Sequence, residues 1–140
     1  MMSKNFWVAV LVGGVVVNVL DFVIMGNVLQ NMYFVHMASM NQMTNPAWYI
    51  IGDFIAAFVF TWVYDKVYGS FEGGMQGGMK FGIYAGVLMY FPAMLFLHLM
   101  FKDYPYSLSW IMTIYGIIWA IILGTVVGKL YMKGEVKPAM

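Results

Sequence analysis

The sequence contains no cysteine and no arginine. Without cysteine there are no disulfides, no thiolate-ligated zinc or iron–sulfur centres, no thiol nucleophile and no palmitoylated side chain. Without arginine there is no bidentate clamp for phosphate or carboxylate. Charge is scarce as well. Charged residues make up 9% of the 140 and the net charge is +1, against roughly 25% charged in an ordinary soluble domain. No basic tract occurs, which argues against nucleic acid as a partner. No nucleophile–base–acid constellation is legible. The glycine run Gly73, Gly74, Gly77, Gly78 lacks the Lys-Ser/Thr and the preceding strand of a phosphate-binding loop. These absences point away from an enzyme, and no cofactor is expected.

What is present is hydrophobic, at 63% of residues. A soluble chain this short keeps much of its surface wet and needs far more polar residues to cover it. The expected solvent is lipid, and residues 1–140 read as one domain. A helix needs about 20 mostly apolar residues to span the hydrocarbon core. Four segments qualify, at about 6–29, 47–68, 79–100 and 108–131. The first superficially resembles a signal peptide, but its apolar run is too long and no small-x-small cleavage site precedes the loop, so it is expected to be retained. Pro46 and Pro105 stand just before the second and fourth segments, where proline suits a helix start. The joins are short, so successive helices are expected to be antiparallel neighbours. The predicted fold is an all-α integral membrane bundle of four antiparallel transmembrane helices.

Lysine placement predicts orientation. Lys4, Lys66, Lys80, Lys129, Lys133 and Lys137 fall on the side holding both termini and the middle loop, and Lys102 alone on the other. Both termini are therefore expected in the cytoplasm, with a bacterial inner membrane as the setting. Trp7, Trp48, Trp62 and Trp110 lie near span ends, as interfacial aromatics do, whereas Trp119 lies inside a span.

The most specific packing pattern is a glycine zipper. Gly74, Gly78, Gly82 and Gly86 recur every four residues, and Gly116, Ala120, Gly124 and Gly128 repeat the pattern in the fourth segment. Four-residue spacing keeps these positions on one helix face. Lacking side chains, two such faces let backbones approach closely in lipid. Two uses are open: packing of the third helix on the fourth, or self-association between copies. Pro92 lies beyond the seam and is expected to kink the third helix.

Polar residues inside the apolar segments are the candidate site. Asn18 and Asp21 share a face of the first helix, Asp53 lies in the second, and Tyr90 and His98 lie in the third. An intramembrane ionisable group is expensive and commonly functional. Asp21 is the sharpest case, because no lysine occurs at its depth. Its plain reading is a hydrogen-bonded residue locking two helices, and its functional reading is proton or cation handling. Asp21, Asp53 and His98 together would suit a divalent metal, but no local ligand spacing supports a site. In the first long loop His36, Met37, Met40 and Met43 are weak candidates for Cu(I), set against a methionine content of 15. No metal is expected.

Several of these residues carry a family resemblance. Asp21 with Gly26, the stretch Phe71, Glu72, Gly73, Gly74, Gly77, Gly78, Met79, Lys80, Phe81, Gly82 and Gly86 followed by Pro92, and Pro105, Trp110, Gly124 and Gly128 resemble small uncharacterised four-helix bacterial membrane proteins. The hairpin pattern is similar to that of domain of unknown function 1761. The resemblance covers most of the chain, implies the four-span topology and brings no catalytic residue with it.

Three functions follow as expectations. The first is an accessory or scaffold subunit without enzymatic chemistry, partnered by the lipid bilayer and by its own copies or a larger membrane complex. The second is a small transporter or channel for protons, ions or a small solute, using Asp21 and its polar neighbours. The third is a metal or redox-cofactor protein.

Overall fold

The computed structural model describes residues 2–131, in which every regular element is helical. Lys133 and Lys137 of the orientation argument lie outside the described residues. Four helices are long and apolar enough to cross a membrane: Lys4–Met32, Pro46–Ser70, Gly74–Met100 and Tyr106–Tyr131. Each exceeds its predicted span. Hydropathy marks where a helix is greasy, whereas caps decide where it starts.

Helix α1 (Lys4–Val23) begins at Ser3, whose Oγ accepts the Phe6 N–H at 3.1 Å. Its continuation is irregular. Ile24–Leu29 wind as a π-helix before a last turn at Gln30–Met32. Within that wider turn Asn27 Nδ2 donates to the Phe22 carbonyl, five residues back, at 2.7 Å. Helix α2 (Pro46–Val67) starts with proline at its first position, and Asn45 Oδ1 accepts the Ala47 N–H at 3.0 Å. Helix α3 (Gly74–Leu95) runs on through Pro92, is interrupted at Phe96 and resumes over Leu97–Met100. The interruption thus comes one turn after the proline. Pro92 has no N–H to bond back to Leu88 and its ring crowds that carbonyl, yet the helix continues through it to Leu95. Helix α4 spans Tyr106–Tyr131.

The helices pack in the order α2, α1, α4, α3, with the α3–α4 contact by far the most extensive. This corrects the expectation that successive helices are neighbours throughout. Helices α2 and α3 follow one another in the chain yet meet mainly through rings, Phe60 with Phe81 at 4.9 Å and Tyr64 with Phe81 at 5.2 Å. The reason is the glycine seam, which gives α4 the closer hold on α3. Gly78 faces the backbone of Gly124 and Gly128, Gly82 that of Ala120 and Ile121, and Gly86 that of Ile117. Contacted positions rise along α3 as they fall along α4. A Cβ at Gly78 would lie 2.7 Å from Gly128 Cα, and one at Gly86 2.9 Å from Ile117 Cα. Of the two uses open to the seams, this chain employs them internally.

The bundle has two dissimilar ends. At one, the first turn of α1, the 68–73 link and Tyr131 come together, with Tyr68 and Tyr131 rings 5.0 Å apart. At the other, the first long loop is tied to the last by the Ser39 N–H, which donates to Asp103 Oδ2 at 2.8 Å. There Leu29, Phe34 and Met37 bury against Leu108 and Met112 of α4 as a second small core.

Candidate functional site

The seam on α3 advances in steps of four through Gly74, Gly78, Gly82 and Gly86, and the fifth position is Tyr90. Where a glycine would admit backbone, a ring now stands. It lies on Gly116 of α4, where a Cβ would collide with it, and its centroid is 6.1 Å from that of Trp119. Gly116 is therefore the socket of Tyr90 rather than a partner for another glycine. The residue before the socket, Tyr115, donates its hydroxyl to Asp21 Oδ1. The Asp53 carboxyl lies near that of Asp21, and the Tyr90 phenol lies near both.

The result is one polar side chain from each helix at a common level: Asp21 from α1, Asp53 from α2, Tyr90 from α3 and Tyr115 from α4. All four are partly buried. A carboxylate has only acceptors, so a carboxyl–carboxyl contact needs a proton or a small cation between the two. The phenols supply donors around that centre. Among the described residues no lysine forms an ion pair with either carboxyl.

Asn18 sits one turn before Asp21 and acts as a brace. Its Nδ2 donates to the Gly14 carbonyl at 2.8 Å and approaches the Ile50 carbonyl at 3.5 Å, joining α1 to α2. Close contact there is permitted by Gly14, which the Phe54 ring covers. The π-helical turn Ile24–Leu29 begins three residues after Asp21, and such turns cluster at functional positions.

His98 is not brought to the carboxyls. Its Nδ1 lies 2.9 Å from the Leu95 carbonyl oxygen and 3.2 Å from Ser109 Oγ, and its ring meets Tyr106 edge-on at 4.8 Å. Its place past the Phe96 interruption holds it at the loop end. Among the described residues no three His, Cys, Asp or Glu side chains converge as metal ligands. The candidates of the first loop also diverge. Met37 is buried, Met40 packs at the edge of the second core, His36 is exposed, and Met43 is 91% exposed. The loop folds onto α4 and divides them between inside and outside.

Two tyrosines that bond to aspartates are not marked out by the sequence pattern. Tyr115 could have been found as a phenol in mid-span beside a glycine, a position with no water to satisfy its hydroxyl. Tyr131 donates to Asp65 Oδ1 at the other end of the bundle. Near it Tyr64 is fully buried, and its hydroxyl has no hydrogen-bond partner among the described residues. Outside the spans, the Ser39 backbone N–H holds the Asp103 carboxyl below its ordinary value. Burial in the second core pushes the Tyr104 phenol up to about 12.

No family model matches the chain, and neither the curated proteins nor the solved structures contain a significant match.

Proposed function

We propose that this is a membrane transporter or channel for protons or a small cation, with Asp21 and Asp53 as the carrying site. The observation behind it is the meeting of one polar side chain from each of four apolar helices around that pair. Lipid makes such a meeting costly unless it is used. The proposed setting is an antiparallel bundle in a bacterial inner membrane with both termini in the cytoplasm. Lys4, Lys66, Lys80 and Lys129 at one end, against Lys102 at the other, support that orientation. Four helices enclose little space, so a homo-oligomer completes the pathway. The test is ion flux into vesicles holding the purified protein. Asp21→Asn and Asp53→Asn should each lower it about tenfold, the equivalent of one strong hydrogen bond to a charged group. Absence of flux in the unaltered protein, or full flux in both variants, removes the reading.

A second reading, an accessory subunit of a larger membrane complex, is favoured by α3. That helix leans almost wholly on α4 and leaves Tyr84, Leu88 and Phe91 exposed. Native purification in mild detergent tests it: a protein that always runs as a lone monomer counts against a partner.

A further inference from the structure

Among the described residues the buried serines and threonines are Thr61, Ser109 and Thr113. Two of them share α4, one turn apart and on one face. That face is the one that meets α3. Thr113 lies three, seven and eleven residues before Gly116, Ala120 and Gly124, all of which touch α3. Past Gly116 the interface therefore carries hydroxyls in place of glycines. At its far end Ser109 Oγ lies 3.2 Å from His98 Nδ1. His98 stands at the loop end, its ring against the exposed Tyr106. Thr113 comes one turn deeper. Its hydroxyl donates to the Ser109 carbonyl at 2.8 Å, and the oxygen keeps lone pairs with which to accept. Deeper again, the Tyr90 ring covers Gly116, and its phenol lies near both carboxyls.

We propose that His98, Ser109 and Thr113 form the route by which protons pass between the loop end of the bundle and the Asp21–Asp53 pair, with Tyr90 at its inner end. The chemistry selects the proton. Imidazole, hydroxyl and phenol each donate and accept, so a proton is handed on while every group keeps its place. A metal cation would need several oxygens at each step in place of its hydration shell, and this line offers about one side chain per turn. Spacing sets what joins them. Ser109 and Thr113 are about 6 Å apart along the axis at 1.5 Å per residue. That is too far for a direct bond and close to two hydrogen bonds in series, so one bridging water closes the gap. The α3 residue midway between Tyr90 and His98 is Met94, an unbranched side chain that yields room readily. This inference rests on the transport reading above and narrows its cargo to the proton.

The test is proton uptake by vesicles that hold the full-length protein and a pH-sensitive dye. Thr113→Val keeps the side-chain shape and removes the hydroxyl. It should slow uptake about five-fold, the rate equivalent of one neutral hydrogen bond. Ser109→Ala and His98→Gln should do the same, since an amide fills the place of the ring without exchanging protons readily. Thr61→Val is the matched control. Thr61 is as deeply buried and its hydroxyl donates to the Ala57 carbonyl at 2.7 Å, but it lies in α2, off the line. That variant should leave uptake unchanged, and Thr113→Ser should restore it. Thr113→Ala replaces Thr113→Val should the latter lose its helical circular dichroism. Full uptake in Thr113→Val, with uptake slowed in Asp21→Asn, overturns the route and leaves the carboxyl site standing. Equal slowing by Thr61→Val overturns it too, because the loss is then one of packing. Full uptake in both His98→Gln and Ser109→Ala overturns the path to the loop end. Flux of sodium or potassium with no change in internal pH overturns the choice of the proton. No ion flux in the unaltered protein sinks the transport reading itself, and the route with it.

Discussion

The two halves of this bundle are held by opposite means. Towards the 68–73 link, α3 and α4 touch backbone to backbone, with Gly78 against Gly124 and Gly128. Such contact has no side chain to yield and no polar group to satisfy. Beyond Gly86 the same interface changes character: a ring fills the socket at Gly116, and carboxyls and phenols gather beside it. The lesson is that close packing in one half leaves the other wide enough to hold polar groups. A single substitution in the series, glycine to Tyr90, marks the boundary.

A second contrast lies within α4. Two of its three tyrosines each donate to an aspartate of another helix, Tyr115 to Asp21 and Tyr131 to Asp65. Asp65 stands at the end of α2 beside Lys66, whose Nζ is 3.6 Å away, where water and a cation are at hand. Asp21 has another carboxyl instead. The same pair of residue types thus anchors a helix end in one place and forms a candidate site in the other.

These contrasts can be broken in order of size. Gly78→Val should be the most damaging, at about 3 kcal/mol, since overpacking against immovable backbone has no rotamer escape. A drop in the thermal midpoint in detergent measures it, and an unchanged midpoint would mean the seam is not a backbone contact. Tyr115→Phe should cost about 1.5 kcal/mol, the scale of a hydrogen bond to a charged group, and should lower flux. Tyr131→Phe should leave flux unchanged. Equal flux effects from the two would erase the distinction between the aspartates. Gly52→Ala should lie within about 0.5 kcal/mol of neutral, because nothing stands within 4 Å of a Cβ there. A large loss would place an unseen neighbour against α2.

The smallest effect is at the loop end. The Asp103 carboxyl is held below its ordinary value by the Ser39 N–H. A depressed carboxyl contributes stability that is present above the unfolded value of about 3.9 and is lost as pH falls through the lower folded value. The Ser39 amide resonance should therefore stay constant on acidification into the ordinary carboxylate range and move only below it. Movement at that ordinary value would mean the loops are not tied through Asp103.

Much of the helical architecture was legible from apolar length, since a run of some 20 apolar residues has few other uses. The Gly74 and Gly124 seams were legible for the same local reason: four-residue spacing makes a face. Asp21, Asp53 and Tyr90 were legible as polar groups out of place. Tyr115 was not, because a tyrosine in an apolar segment is ordinary until its hydroxyl is seen to have a partner. The break at Phe96 and the π-turn after Asp21 were also hidden, for neither proline nor glycine spacing specifies where a helix gives way.

The sequence by itself determined the existence of four long apolar helices, the small-residue faces on two of them and the scarcity of charge between. Those are properties of composition and period, set within each segment. Only the tertiary structure decided that the seams meet each other, that α2 and α3 meet mainly through rings, that His98 stands away from the carboxyls and that Tyr115 reaches Asp21. Each depends on which helix lies beside which. That order follows from competition between interfaces, where α4 holds both α1 and α3, and no single segment records it.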